Sequence, residues 1–168
     1  MEIVNKVAQS GLLTIDLEEW FPTQEIIDID LAPVLFQGMI LREKDMRDFA
    51  STLDVKLYEN KMVCVYCSAD AIIPTWAFML VAIQLSGVSH KTFSGKKQQL
   101  LEAYYHELIS KIDLNNYQDA KIVIKGCSKL PVPDSAYLDI AAQLKPVAKS
   151  IMYGEPCSTV PLYKKPKQ

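Results

Sequence analysis

Hydrophobic spacing along the chain switches repeatedly between short continuous apolar runs and longer stretches with apolar residues three or four apart. LLTIDL (12–17), MVCVYC (62–67), KIVIKG (121–126) and KSIMYG (149–154) are runs of the first kind and predict short strands. MVCVYC is apolar almost throughout, as a strand covered on both faces should be. VSHKTF (88–93), after a break at Gly87, predicts a weaker strand. Helical spacing fills the intervals. Met46, Phe49, Ala50 and Leu53 predict a helix over 40–53, with Glu43 one turn before Arg47. A second is predicted from about Ala71 to Leu85, with Ser68 or Asp70 as its cap and Pro74 in its first turn. Leu100, Leu101, Tyr104, Tyr105, Leu108, Ile109 and Ile112 stripe a third over 96–112. A fourth runs from Asp134 to Lys145, entered through Pro133 and stopped at Pro146.

Strands alternating with helices of this length predict parallel βαβ units. The expected fold is therefore α/β: one domain over 1–168, a largely parallel central sheet with flanking helices, and the N-terminal strand at an edge. Within it, 1–60 reads as an acidic N-terminal part, 61–155 as the βαβ repeats, and 156–168 as an extended basic tail.

Composition narrows the class. The 168 residues are 49% hydrophobic and 23% charged, the balance of an ordinary globular protein that folds without disulfides or metal. The formal charge of −2 is unevenly spread: residues 1–60 hold 12 acids and 5 bases, and the remainder holds 8 acids and 13 bases. That asymmetry points to an anionic or protein partner for the second part. Lys/Arg runs never exceed two and no aromatics interleave with them, so nucleic acid is not an expected ligand. The N-terminus lacks the basic and apolar regions of a signal peptide, and the longest apolar run, Ala71 to Leu85, is too short to span a bilayer. A cytoplasmic protein with reduced thiols and no membrane contact is expected. Neither a dinucleotide-binding nor a P-loop glycine pattern is present.

The candidate chemistry lies in the cysteines. Three of the four precede serine, as Cys67-Ser68, Cys127-Ser128 and Cys157-Ser158, each with a proline soon after. Each falls at, or just beyond, the carboxyl end of a predicted strand, the edge at which open parallel sheets bind ligands. Gly126 and Gly154 precede two of them and would let the backbone turn there. Three thiolates at one edge suit zinc or an iron–sulfur cluster, with Asp16, Asp70 or Glu155 as further ligands. Alternatively Cys67, placed before a helix N-terminus, would be a thiolate nucleophile or sulfur carrier. A third reading has the cysteines buried and inert in an interaction module that contacts a protein partner or a second copy.

The remaining candidates are blander. Cys64 and Cys67 form a Cys-x-x-Cys pair, but on a strand they point to opposite faces, so Cys64 reads as core. Asp70 reads more simply as a helix cap, and Asp16, Glu18 and Glu19 as a solvated acidic loop. His106 falls beside the apolar stripe of its helix, at the surface, and His90 has no carboxylate nearby in sequence. Trp20 and Trp76 read as core aromatics, and the lysines of the tail as solubilising.

The stretches GLLTIDLEEW, GMILREKDMRDF, CSADAIIPTWAFML, KIVIKGCSKLPVP and KSIMYGEPCSTVPLYKKP cover much of the chain. In them the sequence resembles an uncharacterised bacterial family of this length, a domain of unknown function. The resemblance implies genes lying beside those of the sulfur-mobilising iron–sulfur assembly system. It implies no activity, and it agrees in kind with a thiol-rich edge.

Overall fold

The computed structural model describes residues 11–126, 129–155 and 158–166. The strands are β1 (Leu12–Ile15), β2 (Ile26–Asp30), β3 (Met62–Tyr66), β4 (Lys91–Ser94), β5 (Lys121–Ile124), β6 (Ser150–Glu155) and β7 (Ser158–Lys164). The helices are α1 (Glu43–Thr52), α2 (Thr75–Gln84), α3 (Lys97–Ser110) and α4 (Asp134–Leu144), with short 3-10 turns between elements. The fold is α/β, and among the described residues every strand pair but β6–β7 is parallel. The strands divide into two sheets, ordered β1-β5-β6-β7 and β2-β3-β4. Correspondingly the chain forms two compact units: a contiguous one, Pro22–Leu100, and a split one, Met1–Phe21 with Leu101–Gln168.

Each unit has its own core. In the contiguous unit Ile29, Leu31, Met46, Val63, Val65, Ala77, Val81 and Leu85 are buried together. In the split unit the cluster includes Ile15, Leu17, Tyr105, Ile109, Ile122, Ile124, Ala136, Ile140 and Leu144. Trp76 packs on the first and Trp20 on the second, as core aromatics. β1 stands at the edge of its sheet, as expected.

Shifting the contiguous unit by 59 positions lays it on the split one. Asp54 and Asp113 each open a 3-10 turn by accepting a hydrogen bond from the amide two residues on. Pro74 and Pro133 cap α2 and α4, because a proline ring fixes the extended entry and needs no helical partner for its nitrogen. Met62 pairs with Lys91 as Lys121 pairs with Ser150. The amide of His90 donates to Lys61 O at 2.8 Å, and that of Lys149 to Ala120 O at 2.8 Å. Asn60 and Asp119 share a left-handed backbone, with φ of 54° and 51°. The buried pairs Val63/Ile122, Ala77/Ala136, Val81/Ile140 and Leu85/Leu144 follow the same shift. β2 repeats β1 after 14 positions, with Ile29 for Ile15 and Leu31 for Leu17. The molecule is an internal repeat of one β-α-β-α-β unit, its second copy interrupted after β1 by the first.

Several expectations need correction. The second helix begins at Thr75, not near Ala71, because Pro74 forms its cap instead of entering its first turn. Neither Ser68 nor Asp70 caps it. IIDID (26–30) is a strand that apolar spacing did not single out. The tail is not merely extended: Ser158–Lys164 pairs antiparallel with β6.

Candidate functional site at the carboxyl ends of the sheets

In the split unit Asp16 follows β1. One carboxylate oxygen accepts the Glu18 amide at 3.0 Å and caps the turn Leu17–Trp20, while the other takes the Lys125 ammonium at 2.6 Å. The pair is largely withdrawn from solvent, with side chains 15% and 34% exposed. The Asp16 hydrogen bond, then its charge, raises the Lys125 pKa, with Glu155 and Glu18 adding to it. Glu18 Oε1 in turn accepts the amides of Lys129 and, at 2.6 Å, Leu130, tying down the loop after β5. Asp16 is thus occupied by a lysine and an amide and is poorly placed as a metal ligand. Tyr153 on β6 donates from its hydroxyl to Gly126 O at 3.1 Å. A Cβ on Gly126 would lie 2.8 Å from that ring, so this glycine makes room for Tyr153, and no left-handed turn demands it. Gly154 does need its freedom, with φ at 123° and the Ser158 carbonyl 2.6 Å from where a Cβ would stand.

In the contiguous unit Asp30 takes the place of Asp16 and makes different bonds. It accepts the Ala32 amide at 2.9 Å, the Ser68 amide at 2.9 Å and the Ser68 hydroxyl at 2.5 Å. The Ser68 hydroxyl, then the Ala32 amide, holds its pKa below the ordinary carboxylate range. Tyr66 replaces Lys125, with the Lys96 ammonium 5.7 Å from its ring centre. Cys67 follows, half-buried and packed against the apolar core. The helix after it starts eight residues later, so its thiol does not sit at a helix N-terminus. Cys64 is fully buried, and burial, then Asp28, pushes its thiol up to about 11, as suits a core residue. Asp70 lies exposed in the loop between β3 and α2.

This edge also borders a groove of about 540 Å³ that sequence reasoning did not anticipate, walled by Asp30, Val34, Phe36, Arg42, Asp45 and Phe49. Arg42 lies 4.0 Å over the Phe36 ring and pairs with Asp45 at 2.6 Å. The Arg42/Asp45 spacing at a helix start was the only signal available for it.

Cys127 and Cys157 lie outside the described residues. In sequence they follow β5 by three positions and β6 by two, and those strands are parallel neighbours. Cys67 belongs to the other unit. Among the described residues no three His, Cys, Asp or Glu side chains are grouped to hold a metal ion. His106 is 75% exposed, as expected, and its Nδ1 lies 2.9 Å from Asp139 Oδ2, a partner only the fold supplies. His90 is exposed just before β4. No described helix is long and apolar enough to cross a membrane.

These features define an α/β protein of two repeated three-stranded parallel units, each carrying an aspartate at the end of its first strand. The chain belongs to the family described as Protein of unknown function (DUF2480), which matches residues 1–165 and so spans both units. No curated protein and no solved structure matches it.

Proposed function

We propose that this is a cytoplasmic accessory protein of iron–sulfur metabolism that holds a metal ion or cluster at the carboxyl edge of its split unit. One observation carries the reading: Cys127 and Cys157 follow, within three residues, strands that are hydrogen-bonded neighbours. Two soft thiolates suit zinc or an iron–sulfur cluster. Glu155 at the end of β6 adds an oxygen donor. Two thiolates and a carboxylate leave a coordination position open, which suits a carrier better than a structural site. The gene association implied by the family resemblance supports the pathway. Cys67, which was expected to join a three-cysteine set, is left out because it packs on the core of the other unit.

Elemental analysis and an absorption spectrum of protein purified without oxygen or chelator test this. About one equivalent of zinc or iron is expected, lost in Cys127→Ser and Cys157→Ser and kept in Cys64→Ser and Cys67→Ser. Metal-free wild-type protein, or equal retention by all four variants, overturns it.

A second reading, an interaction module, is favoured by α2, where Met79 and Ile83 are 57% and 70% exposed. They line an apolar groove of about 310 Å³ with Trp76 and Leu80, and Glu43 and Arg47 of α1 form its charged rim. A carboxylate and a guanidinium one turn apart are self-complementary when two such faces meet antiparallel, so the occupant is a second copy. Light scattering then finds a dimer, broken by Glu43→Arg or Arg47→Glu alone and restored when both changes are combined. A wild-type monomer refutes it.

A further inference from the structure

At the opposite, amino-terminal edge of the split unit's sheet lies a cleft of about 280 Å³ lined by Asp119, Lys121, Lys149, Ser150, Lys164 and Lys165. Four lysines and one aspartate thus line the same cleft. Asp119 engages Lys165 at 2.9 Å, and that bond, then one from Gln118, lowers its pKa, with Lys149 adding to the effect. Three positive charges remain in excess.

The internal repeat supplies a control for this cluster. At the same place in the contiguous unit stand Asn60, Met62 and His90, with Lys91 where the split unit has Ser150 and Lys61 where it has Ala120. Met62 is buried, whereas Lys121, at the matching first position of its strand, is exposed. The contiguous unit also has no counterpart of β7, the strand that brings Lys164 into register with Ser150. Beyond it the Lys165 amide donates to Lys149 O at 2.9 Å, which seats Lys165 beside the cleft. One copy of the fold therefore carries two lysines here, one of them paired with Glu25, and the other carries four, two at positions that differ between the repeats and two at the end of an added strand. Like charges gathered at one edge repel one another, and an anion that joins them relieves the repulsion. A single carboxylate does not neutralise four.

We propose that this cleft binds a small ligand bearing at least two phosphate groups. Ammonium groups on flexible stems gather phosphate oxygens as point charges, and Ser150 among the lining residues offers a hydroxyl donor. The volume admits a diphosphate with part of the molecule that carries it. The site is separate from the thiol edge and does not depend on it.

Calorimetric titration of the full chain with inorganic pyrophosphate at low salt tests the proposal. Saturable 1:1 binding is expected, weakening as salt is raised. Lys121→Gln and Lys149→Gln, both at exposed positions, each weaken it by about tenfold. Asp119→Asn keeps the left-handed residue type, removes the competing charge and tightens binding by about threefold. His90→Gln, the matching position in the other unit, leaves it unchanged. Sedimentation with vesicles of phosphatidylcholine and phosphatidylglycerol separates the two sources of phosphate. Vesicle binding without pyrophosphate binding overturns the small-ligand assignment. So does pyrophosphate binding that is indifferent to Lys121, Lys149 and Asp119.

Discussion

The two units share a backbone plan and differ in what they do with it. In both, an aspartate ends the first strand and turns the chain into a 3-10 segment, and in both the same helix faces bury the same apolar positions. In the split unit Asp16 meets a lysine, whereas in the contiguous unit Asp30 meets a serine. The first solution places a compensated ion pair beside the loops that lead to Cys127 and Cys157. The second uses the carboxylate to staple the loop after β3 and leaves the neighbouring Cys67 against the core. Similar cores with different rims indicate that packing specifies the fold and the strand ends carry the specialisation.

The most forceful way to break this comparison is to cut a matched core position in each unit. Ile140→Ala should cost about 3 kcal/mol and Val81→Ala about 2 kcal/mol, the difference reflecting one methylene. Hydrogen exchange should show protection falling first in β5 and β6 for Ile140→Ala and in β3 and β4 for Val81→Ala. A uniform loss in both variants would deny the units their separate cores.

A smaller effect is expected where the repeats differ inside the core. Tyr105 occupies the place of Met46, and its buried hydroxyl donates to Leu17 O at 2.7 Å. Burial also holds that hydroxyl protonated far above its ordinary range. Tyr105→Phe should cost about 1–2 kcal/mol by leaving the carbonyl unpaired, read from urea midpoints. Met46→Leu, which strands no polar atom, should cost less than about 1.5 kcal/mol. Equal costs would show that the hydroxyl contributes nothing.

Asp30 sharpens the comparison through pH. Its folded pKa is depressed, so its stabilisation is present above the unfolded value of about 3.9 and is lost as pH falls through the folded value. Asp30→Ala should therefore lower stability by about 1 kcal/mol at pH 6, and its melting curve should converge with wild type in stronger acid. A gap that persists below pH 2 would mean the carboxylate charge is not what matters. The least effect belongs to the exposed His106–Asp139 pair, where His106→Ala should change stability by less than about 0.5 kcal/mol.

The core helices and strands were legible because burial imposes period on a sequence. Leu100 to Ile112, MVCVYC and KIVIKG could only be what they are. IIDID escaped because two aspartates break its apolar run, although Asp30 is there to bond Ser68 across 38 positions. The repeat escaped as well, since it is written in a few widely spaced residues such as Asp54/Asp113, Tyr58/Tyr117, Pro74/Pro133 and Gly95/Gly154. The charge asymmetry along the chain dissolves on folding: the contiguous unit holds 9 acids and 8 bases, the split unit 11 and 10.

By itself the sequence determined the α/β class, the parallel strands, the burial of Cys64 and the exposure of His106, because each follows from local period and side-chain chemistry. Only tertiary structure decided that the strands form two sheets, that Asp16 meets Lys125 across 109 positions, and that β7 delivers lysines to the start of β6. Such pairings depend on which strands become neighbours, and neighbours are chosen by long-range packing that no local pattern encodes.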